Sequence, residues 1–138
     1  RRYYPDVIFI TDMSGMRVSI GMAKKMLGLR SSNAIPDLII LEPAGGCHGL
    51  MIELKSMDET VLKLNGELTA DKHIREQSVM ITRLRDRGYC AYFCRGHDAA
   101  VNLIENYIAG RILLNDVKRS SVEWMDSTIP GFAPVKFD

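Results

Sequence analysis

The sequence predicts a mixed α/β domain, and three observations carry that prediction. Short runs rich in β-formers alternate with longer stretches of helical periodicity. Glycines stand where the helical stretches stop, as C-terminal caps require. The length, 138 residues, suits one domain built on one core.

The elements follow in order. "DVIFITD" (6–12) is a strand, short and β-rich. "VSIGMAKKMLGLR" (18–30) reads as a helix weakened by Gly21 and ending near Gly28. "SSNAIP" is a loop into a second strand, Asp37–Leu41. "EPAGGCHG" (42–49) is a turn, and Leu50–Lys55 is the third strand. In "VLKLNGELT" (61–69) the Asn65-Gly66 pair marks a hairpin tip. Residues 70–87 form a strong helix ended by Gly88, and "YCAYFCR" (89–95) returns to strand. From Asp98 to about Tyr107 a second helix carries Ala100, Leu103, Ile104 and Tyr107 on one side, with Gly110 stopping it. Residues 1–110 are therefore expected to form the domain, and 111–138, with one Trp, Pro130 and Pro134, a C-terminal extension docked on it.

Composition narrows the class. Hydrophobic residues make up 46% and charged residues 25%, as in ordinary globular domains. No apolar run approaches the ~20 residues of a membrane span, so no membrane partner is expected. The apolar run near the start is too short for a signal peptide. Three cysteines cannot all pair internally, which favours a reducing, intracellular compartment. The net charge of +1 gives no global sign of a polyanionic partner. Its distribution is uneven. Residues 1–30 hold six Lys/Arg against two Asp/Glu, residues 31–69 two against six, and residues 70–138 ten against nine. An acidic centre between basic stretches suits a metal site approached by a polyanion; chance scatter of small blocks gives the same pattern.

The chemistry concentrates in "IPDLIILEPAGGCHGLMIELKS" (35–56), where apolar strands carry charge. Side chains alternate faces along a strand, so Met51, Glu53 and Lys55 share one face and Leu50, Ile52 and Leu54 the other. Glu53 and Lys55 then project the same way, about 7 Å apart along the strand. Asp37 opens the neighbouring strand and needs only to lie beside Glu53 to complete a cluster. Close carboxylates repel, and burying each is costly. A divalent cation relieves both penalties, and two carboxylates with a backbone carbonyl and waters suit Mg²⁺ or Mn²⁺. Lys55 would then hold an attacking water or stabilise charge developing on a phosphate. A bare E-x-K on a strand facing water is the ordinary alternative. The full pattern, P-D-(x)15-E-x-K on two hydrophobic strands, weighs against it.

That pattern resembles the PD-(D/E)xK nuclease superfamily. "IPDLIIL", "GLMIELK", "NGELT", "REQ", "LRDRGY" and "AVNLIENYI" occur in the order seen in virus-type replication-repair nucleases, the VRR-NUC family, over about residues 15–109. The resemblance implies a restriction-endonuclease-like core, a mixed central β-sheet flanked by helices. It implies Asp37 and Glu53 as metal ligands, the Leu54 carbonyl as a third, Lys55 as catalytic lysine and Gln77 as the family's helix glutamine. It implies Mg²⁺ or Mn²⁺ as cofactor, with no organic cofactor. Hydrolysis of DNA phosphodiesters leaving 5′-phosphate and 3′-hydroxyl ends is the expected activity. Stand-alone viral and bacterial members are similar to Holliday-junction resolvases and act as homodimers on branched DNA. A flap or 5′-end nuclease domain of a larger repair protein, or an inactive nucleic-acid-binding member, are the alternatives. For a viral member the host cytoplasm or nucleus is the expected compartment. Family members usually carry an acidic residue on a helix before the first strand. Only five residues precede Asp6 and none is acidic: either that helix lies outside this chain, or the site runs with fewer ligands, which leaves a second metal position open. Pro5-Asp6 also precedes an apolar strand, but no E-x-K follows it at a usable distance. The segment 56–69 exceeds the family's usual connection and reads as a DNA-facing or dimer-contacting hairpin.

Gln77 also stands out without the family. Ile74, Gln77, Ile81 and Leu84 recur at three and four residues and form one helix stripe, of which Gln77 is the polar member. It either meets nearby backbone or orients Glu53, Lys55 or a water. Arg75, Arg83, Arg85 and Arg87 fall largely off that stripe, as phosphate contacts or a solvated face. Arg17, Lys24, Lys25, Arg30 and Arg75 are the candidate DNA contacts. Cys90 and Cys94 share a strand parity, and with Cys47, His48 or His97 suggest zinc, but Cys-x3-Cys within one strand is poor zinc geometry. Reduced core thiols are the preferred reading.

Overall fold

The computed structural model describes residues 5–11, 19–29, 34–119 and 124–126. Its elements are β1 (Phe9–Thr11), α1 (Ile20–Leu29), β2 (Leu38–Ile40), β3 (Leu50–Lys55), α2 (Lys72–Asp86), β4 (Cys90–Arg95), α3 (His97–Ile108), α4 (Leu114–Arg119) and β5 (Trp124–Asp126). The strands form a single sheet in the order β1-β2-β3-β4-β5. β1, β2 and β3 pair antiparallel, whereas β3–β4 and β4–β5 pair parallel. This is the mixed central sheet with flanking helices expected of a restriction-endonuclease-like core.

The antiparallel half is a meander, and its tight connection is legible in the chain. Gly45 and Gly46 both take positive φ, 59° and 83°. Ala44 and Cys47 close over them with two backbone hydrogen bonds, Ala44 N–H to Cys47 O at 3.2 Å and Cys47 N–H to Ala44 O at 2.8 Å. A two-residue turn with both central residues left-handed is the primed type that matches strand twist. The parallel half needs crossovers, and α2 supplies the one between β3 and β4. Asp71 caps α2 by accepting from the Ile74 amide at 3.1 Å, and Gly88 leaves the helix end at φ 89°.

Strand parity sorts the core into two layers. Leu50, Ile52, Cys90, Tyr92 and Cys94 face Ala99, Ala100, Leu103 and Tyr107 of α3, with Ile112 and Val117 beside them. Met51, Ala91 and Phe93 face Ile74 and Ile81 of α2, with Val61 from the connection. Tyr107 is fully buried, and its hydroxyl donates to the Glu42 carbonyl at 2.6 Å.

Several details differ from the sequence reading. α1 ends at Leu29, one residue past Gly28, as expected, but begins only at Ile20. The expected strand 6–12 is reduced to three residues, all exposed on the sheet edge. The hairpin at 61–69 is present as a single Leu62–Leu68 bridge outside the sheet, turning through Gly66 at φ 81°. Beyond residue 110, Ile112 and Val117 enter the core and β5 extends the sheet beside β4. Arg85 is a correction. It is buried, not part of a solvated face: its Nε donates to the Ala91 carbonyl at 2.9 Å and its guanidinium lies 4.4 Å from the Tyr92 ring centre. Its place four residues after Ile81 puts it on the inward stripe. Among the described residues no helix is long and apolar enough to cross a membrane.

Candidate active site

The β2–β3 register brings the two carboxylates together. Leu38 pairs with Ile52, and continuing the antiparallel ladder by one step sets Asp37 opposite Glu53. Directly opposed residues share a face, here the α2 face. Asp37 Oδ2 accepts from the Leu54 amide at 2.8 Å, so its side chain continues the ladder where β2 ends. A strand residue's N–H and C=O point to the same edge. The Leu54 carbonyl is therefore directed to the same edge as Asp37.

Glu53 is the centre of the cluster, with 4% of its surface exposed. Lys55 Nζ lies 3.4 Å from Glu53 Oε1, and the Gln77 amide nitrogen donates to the same oxygen. Lys55 and Gln77 are also buried. Burial, and next the Asp37 charge, push the Glu53 carboxyl up from 4.5 to about 7, while Lys55 pulls it back. Two carboxylates held this close, one of them drawn towards its neutral form, are a site short of positive charge. Gln77 Oε1 is buried with no hydrogen-bond partner, a further polar atom awaiting one.

These residues fit a hard divalent cation. Asp37, Glu53 and the Leu54 carbonyl would supply oxygen ligands on one edge. Among the described residues no group of three or more Asp, Glu, His or Cys side chains could hold a metal. One or two carboxylates with waters and substrate phosphates is how Mg²⁺ is commonly held, in contrast to an all-protein cage.

The candidate DNA contacts are dispersed. Lys24 and Lys25 are exposed on α1. Arg75 is exposed at the start of α2, where its Nε donates to the Thr69 carbonyl at 3.1 Å and ties the 61–69 hairpin to the helix. Arg17 and Arg30 lie outside the described residues. Cys47, Cys90 and Cys94 are buried in the α3-side core, across the sheet from Glu53, and none is disulfide-bonded. His48 packs edge-on against Tyr89, and His97 is exposed beside Asp98.

One residue of the cluster escaped the sequence reading. His73 Nε2 lies 3.0 Å from the Gln77 amide nitrogen, one helical turn before it. Its signal was the i, i+4 spacing to Gln77, hidden in a polar first turn.

Among solved structures, the chain is similar to one described as a "VRR_NUC domain protein", at 29% identity over 69% of this chain and 67% of that one, with a TM-score of 0.45. No family model and no curated protein matches the chain.

Proposed function

We propose that this chain is a metal-dependent nuclease of the PD-(D/E)xK type that hydrolyses DNA phosphodiester bonds. The observation that carries the reading is the convergence of Asp37, Glu53, Lys55 and Gln77 on the α2 face of the sheet, where β2 ends beside β3, at the spacing the motif requires. Asp37, Glu53 and the Leu54 carbonyl would hold Mg²⁺ or Mn²⁺. When bound, such a cation supplies Lewis-acid charge at a phosphate oxygen and a water acidic enough to attack near neutral pH. Lys55 contributes an ammonium beside Glu53, placed to orient that water and offset charge developing on the phosphate. Gln77 holds one Glu53 oxygen by hydrogen bond, which steadies the carboxylate. In-line attack leaves 5′-phosphate and 3′-hydroxyl ends.

The finer assignment is a structure-selective endonuclease of the Holliday-junction resolvase kind, acting as a homodimer. Two copies related by a two-fold axis present two such sites, suited to cutting opposed strands of a branched substrate. The test uses labelled junction, flap, splayed-arm and linear DNA in Mg²⁺ or Mn²⁺. The expected result is paired cuts in the junction, lowered by on the order of 10²-fold or more in Glu53→Ala. A protein that stays monomeric at micromolar concentration and cuts flaps but not junctions removes the resolvase assignment. Binding without cleavage in any divalent metal removes the nuclease.

A further inference from the structure

We propose that His73 is a positioning residue for Gln77, holding the Gln77 amide so that its carbonyl oxygen is a neutral acceptor for the attacking water. This rests on the nuclease reading above; the contact itself rests on the geometry alone.

Donor and acceptor supply decides which groups can meet here. A single atom, Gln77 Nε2, lies against both Glu53 Oε1 and, at 3.0 Å, His73 Nε2. A primary amide nitrogen has two hydrogens and no acceptor capacity. One hydrogen goes to the carboxylate, and the other requires a lone pair on His73 Nε2. The imidazole must then be neutral with its proton on Nδ1. The amide is held with its nitrogen, not its carbonyl, against both Glu53 Oε1 and His73 Nε2. The tautomer of an exposed histidine and the orientation of a buried glutamine are thus fixed together. What remains is Gln77 Oε1, buried and unpartnered on a side chain with 4% of its surface exposed. A buried acceptor beside a carboxylate cluster is one that a water would satisfy, and Gln77 reaches the Glu53 oxygen that Lys55 also approaches.

Nothing else on the first turn of α2 can do this. Lys72 and Arg75 are donors only, and Lys72 pairs with Glu76 on the exposed side. Among the described residues, His73 is the exposed side chain that brings a lone pair to the Gln77 amide.

The experiment has a spectroscopic arm and a kinetic arm, both on the full chain. Long-range ¹⁵N correlation spectra at about pH 8 report the histidine tautomer. We expect His73 to carry its proton on Nδ1 in the wild type and to shift towards Nε2–H, the form free imidazole prefers, in Gln77→Ala. A wild-type His73 protonated on Nε2, or a spectrum unchanged in Gln77→Ala, overturns the proposal. In the kinetic arm, His73→Leu is expected to lower kcat by about 10- to 100-fold, as loss of a ligand-orienting contact does, with KM for DNA unchanged. His73→Gln, which returns an acceptor at that reach, is expected to recover most of the loss. In a Gln77→Ala background His73→Leu is expected to cost nothing more. A full additional loss there, or a rise in KM with kcat intact, means that His73 touches the substrate itself and overturns the positioning role. A wild type that cuts no DNA overturns the nuclease reading and with it the catalytic role, while the tautomer spectrum still decides the His73–Gln77 contact.

Discussion

Glu53 is where the energetic conflict of the site is concentrated. Burial and the Asp37 charge raise its carboxyl to about 7. A folded value above the unfolded one means that the folded protein binds the extra proton between the two. The stabilisation from this group is fully present below the unfolded value of 4.5 and lost as pH rises through about 7. Metal-free protein should therefore lose Tm between about pH 5 and pH 8 at this group, and Glu53→Gln should flatten that slope. Thermal melts in a chelator across that range check it; an equal slope in Glu53→Gln counts against the assignment. Asp37→Asn tests the same conflict from the other side. The asparagine oxygen still accepts from the Leu54 amide, but the like charge facing Glu53 is gone. The variant should melt above the wild type in chelator while losing metal-dependent cleavage. At this scale the sequence was informative for the residues whose chemistry depends on strand parity. Glu53 and Lys55 follow from the period of two, and Gln77 from being the polar member of an apolar stripe. His73 and Arg85 were missed for opposite reasons. His73 is exposed and looks like any first-turn polar residue, and Arg85 is a cation whose burial is sustained by a carbonyl and a ring from β4.

Among the elements, β3 matches its expected bounds because both of its faces are used: Leu50 and Ile52 pack on the α3 side, and Met51 and the cluster face α2. Short elements were less legible. β1 and β5 have three residues each, too few for a period, and they exist because a neighbouring strand offers them a ladder. α1 continues past Gly28 although glycine is a poor helix former; a single glycine costs only about 1 kcal/mol there. The β2–β3 turn yields the sharpest prediction at this scale. A Cβ on Gly45 would stand 1.8 Å from the Ile112 carbonyl oxygen, and its φ of 59° is strained for other residues. Gly45→Ala should destabilise the fold by more than about 1 kcal/mol, read as a lower denaturation midpoint. Gly66→Ala is the control for backbone strain alone, because open space surrounds that position. Equal effects at the two sites would mean that the Ile112 contact is not what fixes Gly45.

For the molecule as a whole, the site's shortage of positive charge implies linkage between folding and metal. A cation that binds the folded chain and not the unfolded one adds about 2.7 kcal/mol at 100 times its Kd. Mn²⁺ should raise the wild-type Tm accordingly, EDTA should reverse the rise, and Glu53→Ala should abolish it. Identical wild-type melts in Mn²⁺ and EDTA would sink the proposed cation site. The layout of the domain was legible in outline because the alternation of strand and helix dictates a mixed sheet. The part played by 111–119 was not. Ile112 and Val117 are spaced as in many surface segments, and only their packing into the α3-side cluster makes them core.

The same segment bears on how far this site can vary. Asp37 and Glu53 face each other only because the ladder between them is in one register, and a slip of one residue would send Asp37 to the α3 side. The turn that sets the register is gripped from outside, with the Leu114 amide donating to the Gly45 carbonyl at 3.0 Å and Ile112 closing over the tip. The loop joining the two carboxylates therefore acts as a ruler clamped at its midpoint. Single-residue insertions and deletions between Asp37 and Glu53 would leave a chain with an intact apolar composition and a dismantled cluster. Length variation is better tolerated at 62–68, where the tip stands in open space and Leu64 is fully exposed.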